Sequence, residues 1–294
     1  MILLASIFTL SATAGEIPLK KLIPKYTDAT SSFVKVDGLS FHVKDEGKGP
    51  TIVLLHGILA SLHTWEGWVP SLAKKYRVVR IDLPAHGLTG PDPKNEYSIE
   101  RMTKLIEKLY VKLGIKESFL VGNSLGGWIA WEFAVRYPKL ISKLVLIDPA
   151  GFNTDEVPWA VSIARLPLAP YLLTGNAPRF AVRYMVESVY GNPDHITEET
   201  VTRYHDLFLR EGNGKGFFAL VRAPVENNAA SLKNLKMPVL ILWGEKDGWI
   251  SVKYAKSFHA AIPQSELLTF PHLGHVPMEE SPLETLKPTL SFFE

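Results

Sequence analysis

The chain has 294 residues, of which 46% are hydrophobic and 21% charged, with a formal net charge of +2. That length can bury a large α/β core, alone or with an insertion. The near-neutral balance, without any Lys/Arg cluster, offers nucleic acid no basic footprint. The absence of cysteine excludes disulfides, thiolate catalysis and Cys-based metal sites.

Residues 1–14 read MILLASIFTLSATA, an apolar run ending in small residues, and Ala12-Thr13-Ala14 fits an A-x-A cleavage site. The run is short for a bilayer span and lacks a basic start. It reads as a signal peptide or an N-terminal anchor. The expected location is therefore exported or membrane-associated, with the cytoplasm left open.

Residues 32–36 and 39–44 read as two strands joined by Asp37-Gly38, a strong hairpin signal. Residues 51–55 form a continuous apolar run, as expected of a strand covered on both faces. Residues 77–83, 119–121, 144–147 and 239–243 share that character, and residues 267–270 form the last strand candidate. Between them lie helical patterns. In 98–113, Ile99, Met102, Leu105, Ile106, Leu109 and Leu113 fall on one stripe, with Ser98 as cap and Gly114 as stop. Strands alternating with helices predict a mostly parallel central sheet with helices on both faces.

The alternation breaks over 152–235. Apolar and aromatic residues recur there at helical spacing among scattered prolines, with no central-strand run. The segment reads as a helical cap inserted into a core made of 30–151 and 236–294, placed over the strand ends.

Residues 119–127 read FLVGNSLGG. A short apolar strand feeds Gly122-Asn123-Ser124-Leu125-Gly126, and a helical pattern follows over 128–137. Strand, sharp turn and helix is the context in which G-x-S-x-G is a nucleophile elbow. Small residues two before and two after the serine let strand and helix approach closely. A serine hydroxyl needs a base, and the base an orienting group. His275, in the loop after the last strand, is the candidate base, with His272 as its nearest rival among nine histidines. Asp247, just past the 239–243 strand, is the candidate acid, with Asp148 at another strand end as its rival. All of these fall at carboxyl ends of strands, where an open α/β sheet assembles its site.

An oxyanion needs preorganised donors. The expected pair is the backbone N–H of Leu125, directly after the serine, and that of Ile58, in the His56-Gly57-Ile58-Leu59 loop, where Gly57 permits a tight turn. His56, and His86 in Asp82-Leu83-Pro84-Ala85-His86-Gly87, read as structural. Trp65, Trp128, Phe152, Trp159 and Trp249 are candidate pocket walls, for which core packing is an equal reading.

With these residues assembled, the chain resembles the α/β-hydrolase fold superfamily, in its capped esterase, lipase and C–C-hydrolase branch. The resemblance runs from about Val34 and rests on His56-Gly57, Asp82-Leu83-Pro84-x-His86-Gly87, Gly122-x-Ser124-x-Gly126-Gly127, Asp247 and Gly274-His275. It implies hydrolysis of a small-molecule ester, apolar in its acyl or alcohol part, through an acyl-serine intermediate with no cofactor and no metal. The serine at the elbow departs from dehalogenases and epoxide hydrolases, which carry aspartate there. Ala85 replaces a glycine common in the family. The elbow is similar to that of meta-cleavage C–C hydrolases, so C–C bond hydrolysis stays as an alternative. So do perhydrolase or acyltransferase chemistry and a non-catalytic receptor on the same fold. Oligomeric state is not readable.

Overall fold

The computed structural model describes residues 15–152, 157–224 and 228–294; the apolar 1–14 segment lies outside them. Eight strands form one sheet: β1 (Ser31–Val36), β2 (Leu39–Glu46), β3 (Thr51–Leu55), β4 (Arg77–Ile81), β5 (Ser118–Asn123), β6 (Ile141–Ile147), β7 (Val239–Gly244) and β8 (Ser265–Phe270). Their order is β1-β2-β4-β3-β5-β6-β7-β8. The β1–β2 hairpin and the β2–β4 pair are antiparallel, and every later pairing is parallel.

The helices are α1 (Leu19–Tyr26), α2 (Val69–Leu72), α3 (Ile99–Leu113), α4 (Leu125–Arg136), α5 (Trp159–Ala164), α6 (Ala169–Leu173), α7 (Arg179–Glu187), α8 (Glu198–Phe208), α9 (Asn213–Arg222), α10 (Lys253–Ala261), α11 (Pro277–Glu280) and α12 (Pro282–Phe293). Strand residues alternate between two cores. Val53, Leu55, Leu120 and Ile241 pack with Leu105, Phe133 and Phe258 of α3, α4 and α10. Ile52, Leu54, Val121 and Leu242 pack with Trp65, Trp68, Leu286 and Phe293. Strands β3, β4, β5 and β7 thus bury both faces, which is why their sequences are mostly apolar without alternation, whereas the edge strands β1 and β8 stay partly exposed.

Helix α3 follows its sequence signals. Ser98 Oγ accepts from the Arg101 N–H at 3.1 Å, and Gly114 ends the helix in the left-handed region at φ +67°. Two boundaries move towards the elbow. Strand β5 runs on through Asn123, whose pairing with Ile147 of β6 extends the ladder. Helix α4 begins at Leu125 rather than at residue 128. A single residue, Ser124, therefore makes the whole turn.

Among the described residues between β6 and β7, the regular structure is helical, α5 to α9 with two 3₁₀ turns. This cap enters the sheet's crevice from above the carboxyl ends of β3, β5 and β6, since its residues share a cavity with Ser124 and Leu125.

Close approach at the elbow has a measurable limit. A Cβ on Gly126 would sit 2.3 Å from the Leu55 carbonyl oxygen, and one on Gly122 would sit 2.2 Å from that of Gly126. Backbone, not a flexible side chain, blocks both positions. Replacing Gly126 by alanine should lower stability by about 1–3 kcal/mol or more through overpacking. Urea denaturation checks this; an unchanged midpoint would show that β3 and α4 have slack.

Candidate active site

Ser124 is held at φ +53° and ψ −116°, a left-handed conformation for a residue with a Cβ. Such a position costs about 1–3 kcal/mol and persists only where the surroundings over-determine it. Three backbone hydrogen bonds do so. The Ser124 N–H donates to Ile147 O at 3.0 Å, and its carbonyl accepts from the N–H groups of Trp128 at 2.9 Å and Ala150 at 3.0 Å.

The loop after β3 lies against this turn. A Cβ on Gly57 would fall 2.9 Å from Asn123 Oδ1 and 3.1 Å from Ser124 Cβ. Gly57 is therefore needed for close approach. The left-handed backbone of the turn is two residues on, at Leu59 with φ +63°. Ile58 and Leu125 both line the cavity beside Ser124. Neither of their N–H groups has an acceptor among the described residues. His56 supports the loop from below. Burial pushes its pKa down, its Nδ1 lies 2.7 Å from Gly57 O, and its Nε2 accepts from the Leu83 N–H at 3.0 Å. These contacts fix a neutral ring with the proton on Nδ1. His86 is likewise buried, its pKa lowered by burial to about 3, and its Nδ1 is bonded to Pro84 O.

The structure brings His275 and Asp247 together. His275 Nδ1 lies 2.6 Å from Asp247 Oδ2, with both side chains buried. Asp247 Oδ1 accepts from the N–H groups of Trp249 at 2.7 Å and Ile250 at 2.9 Å. With Nδ1 donating, Nε2 is the basic nitrogen. It is buried and has no hydrogen-bond partner among the described residues. Ser124 Oγ does not bond to it in this conformation; such contacts are often long until substrate binds. Trp249 stacks on the imidazole with ring centroids 5.7 Å apart.

The rival residues find other places. His272 is exposed and pairs with Glu284 at 3.0 Å. Asp148 is fully buried beside Asp247, and it is Asp247 rather than Asp148 that bonds His275. Asp148 Oδ1 accepts from the Gly244 N–H at 2.9 Å, while its Oδ2 is buried without a partner. Burial, and then the charge of Asp247, push its carboxyl well above the usual carboxylate range. Asp148, Asp247 and His275 offer ligand atoms within 4.8 Å of one another. Within this cluster His275 Nδ1 and Asp247 Oδ2 are bonded to each other at 2.6 Å.

Of the pocket candidates, Trp128, Phe152 and Trp249 line a cavity of about 370 Å³ whose wall carries Ser124. Its lining is otherwise mainly apolar, with exposed Arg165 the one charged residue among those described. Trp65 is elsewhere: it is fully buried against Trp68, ring centroids 5.3 Å apart, in the core beneath the sheet. Trp159 packs on Tyr184 at 5.1 Å and lines a different cavity inside the cap.

Two residues were not legible beforehand. Asn123 Nδ2 donates to His275 O at 2.9 Å, tying the elbow to the histidine loop. Glu280 is buried, and its Oε2 accepts from the N–H groups of Gly191 at 2.9 Å and Gly274 at 2.8 Å, while its Oε1 accepts from Asn192. It clamps the cap to the same loop. In the sequence Glu280 stands beside Glu279, and nothing local tells which carboxylate is buried.

The family model of the alpha/beta hydrolase fold matches residues 50–282. The chain belongs to that family. Monoacylglycerol lipase ABHD6 of Homo sapiens is 27% identical over 265 residues, covering 84% of this chain and 76% of that one. Lipase 1 of Psychrobacter immobilis is 27% identical over 240 residues, covering 81% and 74%. Among solved structures, Cfl2 of Burkholderia cenocepacia superposes with a TM-score of 0.80 at 26% identity, covering 90% of this chain and 95% of that one.

In the fold, burial and then the charge of Asp247 hold the Asp148 carboxyl well above its ordinary range, whereas the unfolded chain ionises it near its usual value of about 3.9. The unfolded state then binds fewer protons, so this group's contribution weakens as pH rises above that value. Asp148→Asn removes the penalty and keeps an acceptor for Gly244. Its urea midpoint should gain on wild type progressively as pH rises from about 4, where the unfolded carboxyl has begun to ionise, until the folded carboxyl itself ionises. A difference independent of pH would mean Asp148 is ionised in the fold.

Proposed function

We propose that this chain is a serine hydrolase of carboxylic esters with an apolar acyl or alcohol part. The observation that carries the reading is the buried 2.6 Å Asp247–His275 bond, which leaves His275 Nε2 without a partner among the described residues, in a loop tied by Asn123 to the turn that sets a strained Ser124 on the wall of an apolar cavity. The lipase names of relatives that share most of the chain support it. So does a cavity of about 370 Å³, within the range of small-molecule sites.

The substrate carbonyl sits against Ser124 with its oxygen towards the N–H groups of Ile58 and Leu125. His275 Nε2 takes the hydroxyl proton as Oγ attacks. Asp247 keeps the ring in one tautomer and stabilises the imidazolium. The Trp249 face adds cation–π stabilisation to the charged ring. The two N–H groups bind the oxyanion, in a place where water cannot compete. His275 then gives its proton to the leaving alcohol, and water cleaves the acyl-serine by the same sequence. The apolar 1–14 segment supports export or attachment to a membrane.

Ser124→Ala should lower turnover of a p-nitrophenyl ester by about 10⁴-fold or more and abolish labelling by a fluorophosphonate. His275→Ala should do the same. Near-full activity in the serine variant would refute the reading. Turnover of a vinylogous diketone with no ester hydrolysis would move the scissile bond to carbon–carbon.

A further inference from the structure

The cap holds a second cavity, about 120 Å³ in volume, separate from the one beside Ser124. Its wall is built by α5, α7, α8 and α9 together with Leu59 of the oxyanion loop, and every lining residue is apolar. Such a space holds no polar ligand, because nothing in it can satisfy one.

Its position relative to the reaction centre gives it a use. Helix α5 is a partition: Val161 faces the larger cavity, while Ala160 and Ile163 face the smaller. Consecutive loop residues divide in the same way, Ile58 to the larger cavity and Leu59 to the smaller. Behind the catalytic pair a gap of about 10 Å³ is lined by His275, Ile58, Trp249 and Met185. Ile58 and Trp249 are shared with the larger cavity, and Met185 with the smaller. The three spaces therefore form a series, with Met185 between the histidine and the cap cavity. Methionine is unbranched and adaptable, which suits a side chain that must move aside for a ligand.

Direction follows from proton transfer. His275 protonates the leaving oxygen, so the alcohol half of an ester points to the His275 side, and the acyl half stays beside Ser124 and Leu125. The larger cavity contains Ser124 and Leu125 but not His275; the gap contains His275. We infer that the cap cavity is the subsite for the hydrocarbon chain of the ester's alcohol half, entered past Met185. The substrate class is then an ester with a linear alkyl chain on its alcohol side as well as an apolar acyl group. This inference rests on the ester-hydrolase reading above.

Two measurements test it and separate its failure from the failure of that reading. The first compares two ester series in wild type and in Ala181→Trp, which fills the cap cavity from α7. The decyl-to-ethyl ratio of kcat/KM among acetates should fall by about tenfold or more, as for lost methylene contacts in an apolar pocket. The decanoate-to-acetate ratio among ethyl esters should stay nearly unchanged. Equal falls in both ratios, or no fall in either, would overturn the subsite. The second needs no turnover and no filled variant. In the Ser124→Ala chain, a brominated dodecanol should quench tryptophan fluorescence, and Trp159→Phe in that background should remove most of the quenching, because Trp159 lines the cap cavity. Quenching that does not depend on Trp159, or no quenching, would place the chain elsewhere. Trp159-dependent quenching in a protein that hydrolyses no ester would show that the cap cavity takes an alkyl chain while overturning the ester reading, and with it the assignment of that chain to an ester's alcohol half.

Discussion

The bond between His275 and Asp247 lies where both groups are buried, and a lone carboxylate there would pay a heavy desolvation cost. It is tolerated because both oxygens are engaged: one meets the imidazole and the other meets two backbone N–H groups. The backbone of His275 is held as firmly. Its N–H donates to Val189 O in the cap at 2.8 Å, and its carbonyl accepts from Asn123 at the elbow. Cap, elbow and acid loop thus meet at one residue.

This arrangement couples the cap to the chemistry. Glu280 ties Gly191 and Asn192 of the cap to Gly274, one residue before the histidine. Half-buried Arg203 of α8 pairs with Glu279 of α11, and Tyr204 donates to the same carboxylate at 2.9 Å. The cap is therefore bolted to the loop that carries His275, close to His275 itself. Its other helices face cavities instead, with α5 dividing two of them. A rigid attachment at one side and apolar space at the other suits a cap that shapes the pocket without disturbing the relay.

Two carboxylates so close cannot both ionise cheaply. The environment decides between them. Asp247 has the imidazole and two N–H donors; Asp148 has one N–H donor and a bare oxygen in a buried place. Burial, and then the charge of Asp247, raise the Asp148 carboxyl, and it is Asp247 rather than Asp148 that meets the imidazole of His275.

Much of the fold could be read from the chain itself. Apolar runs without alternation mark strands buried on both faces, and Ser98 and Gly114 bracket α3 because capping and left-handed backbone are local chemistry. The spacing of glycines around Ser124 likewise foretells a tight strand–helix contact, since a missing Cβ has the same meaning in any context. Trp65 and Trp159 show where that ends. An indole has an apolar face wherever it stands, and only the packing of distant elements sends one into the core, the other into the cap, and Trp128 to the pocket wall. Glu280 and Asp148 follow the same logic, because burial and the number of donors around a carboxylate are set by segments far away in sequence. Local backbone preference and side-chain periodicity belong to the sequence; solvent exclusion and electrostatic neighbourhood arise only when remote segments close on one another.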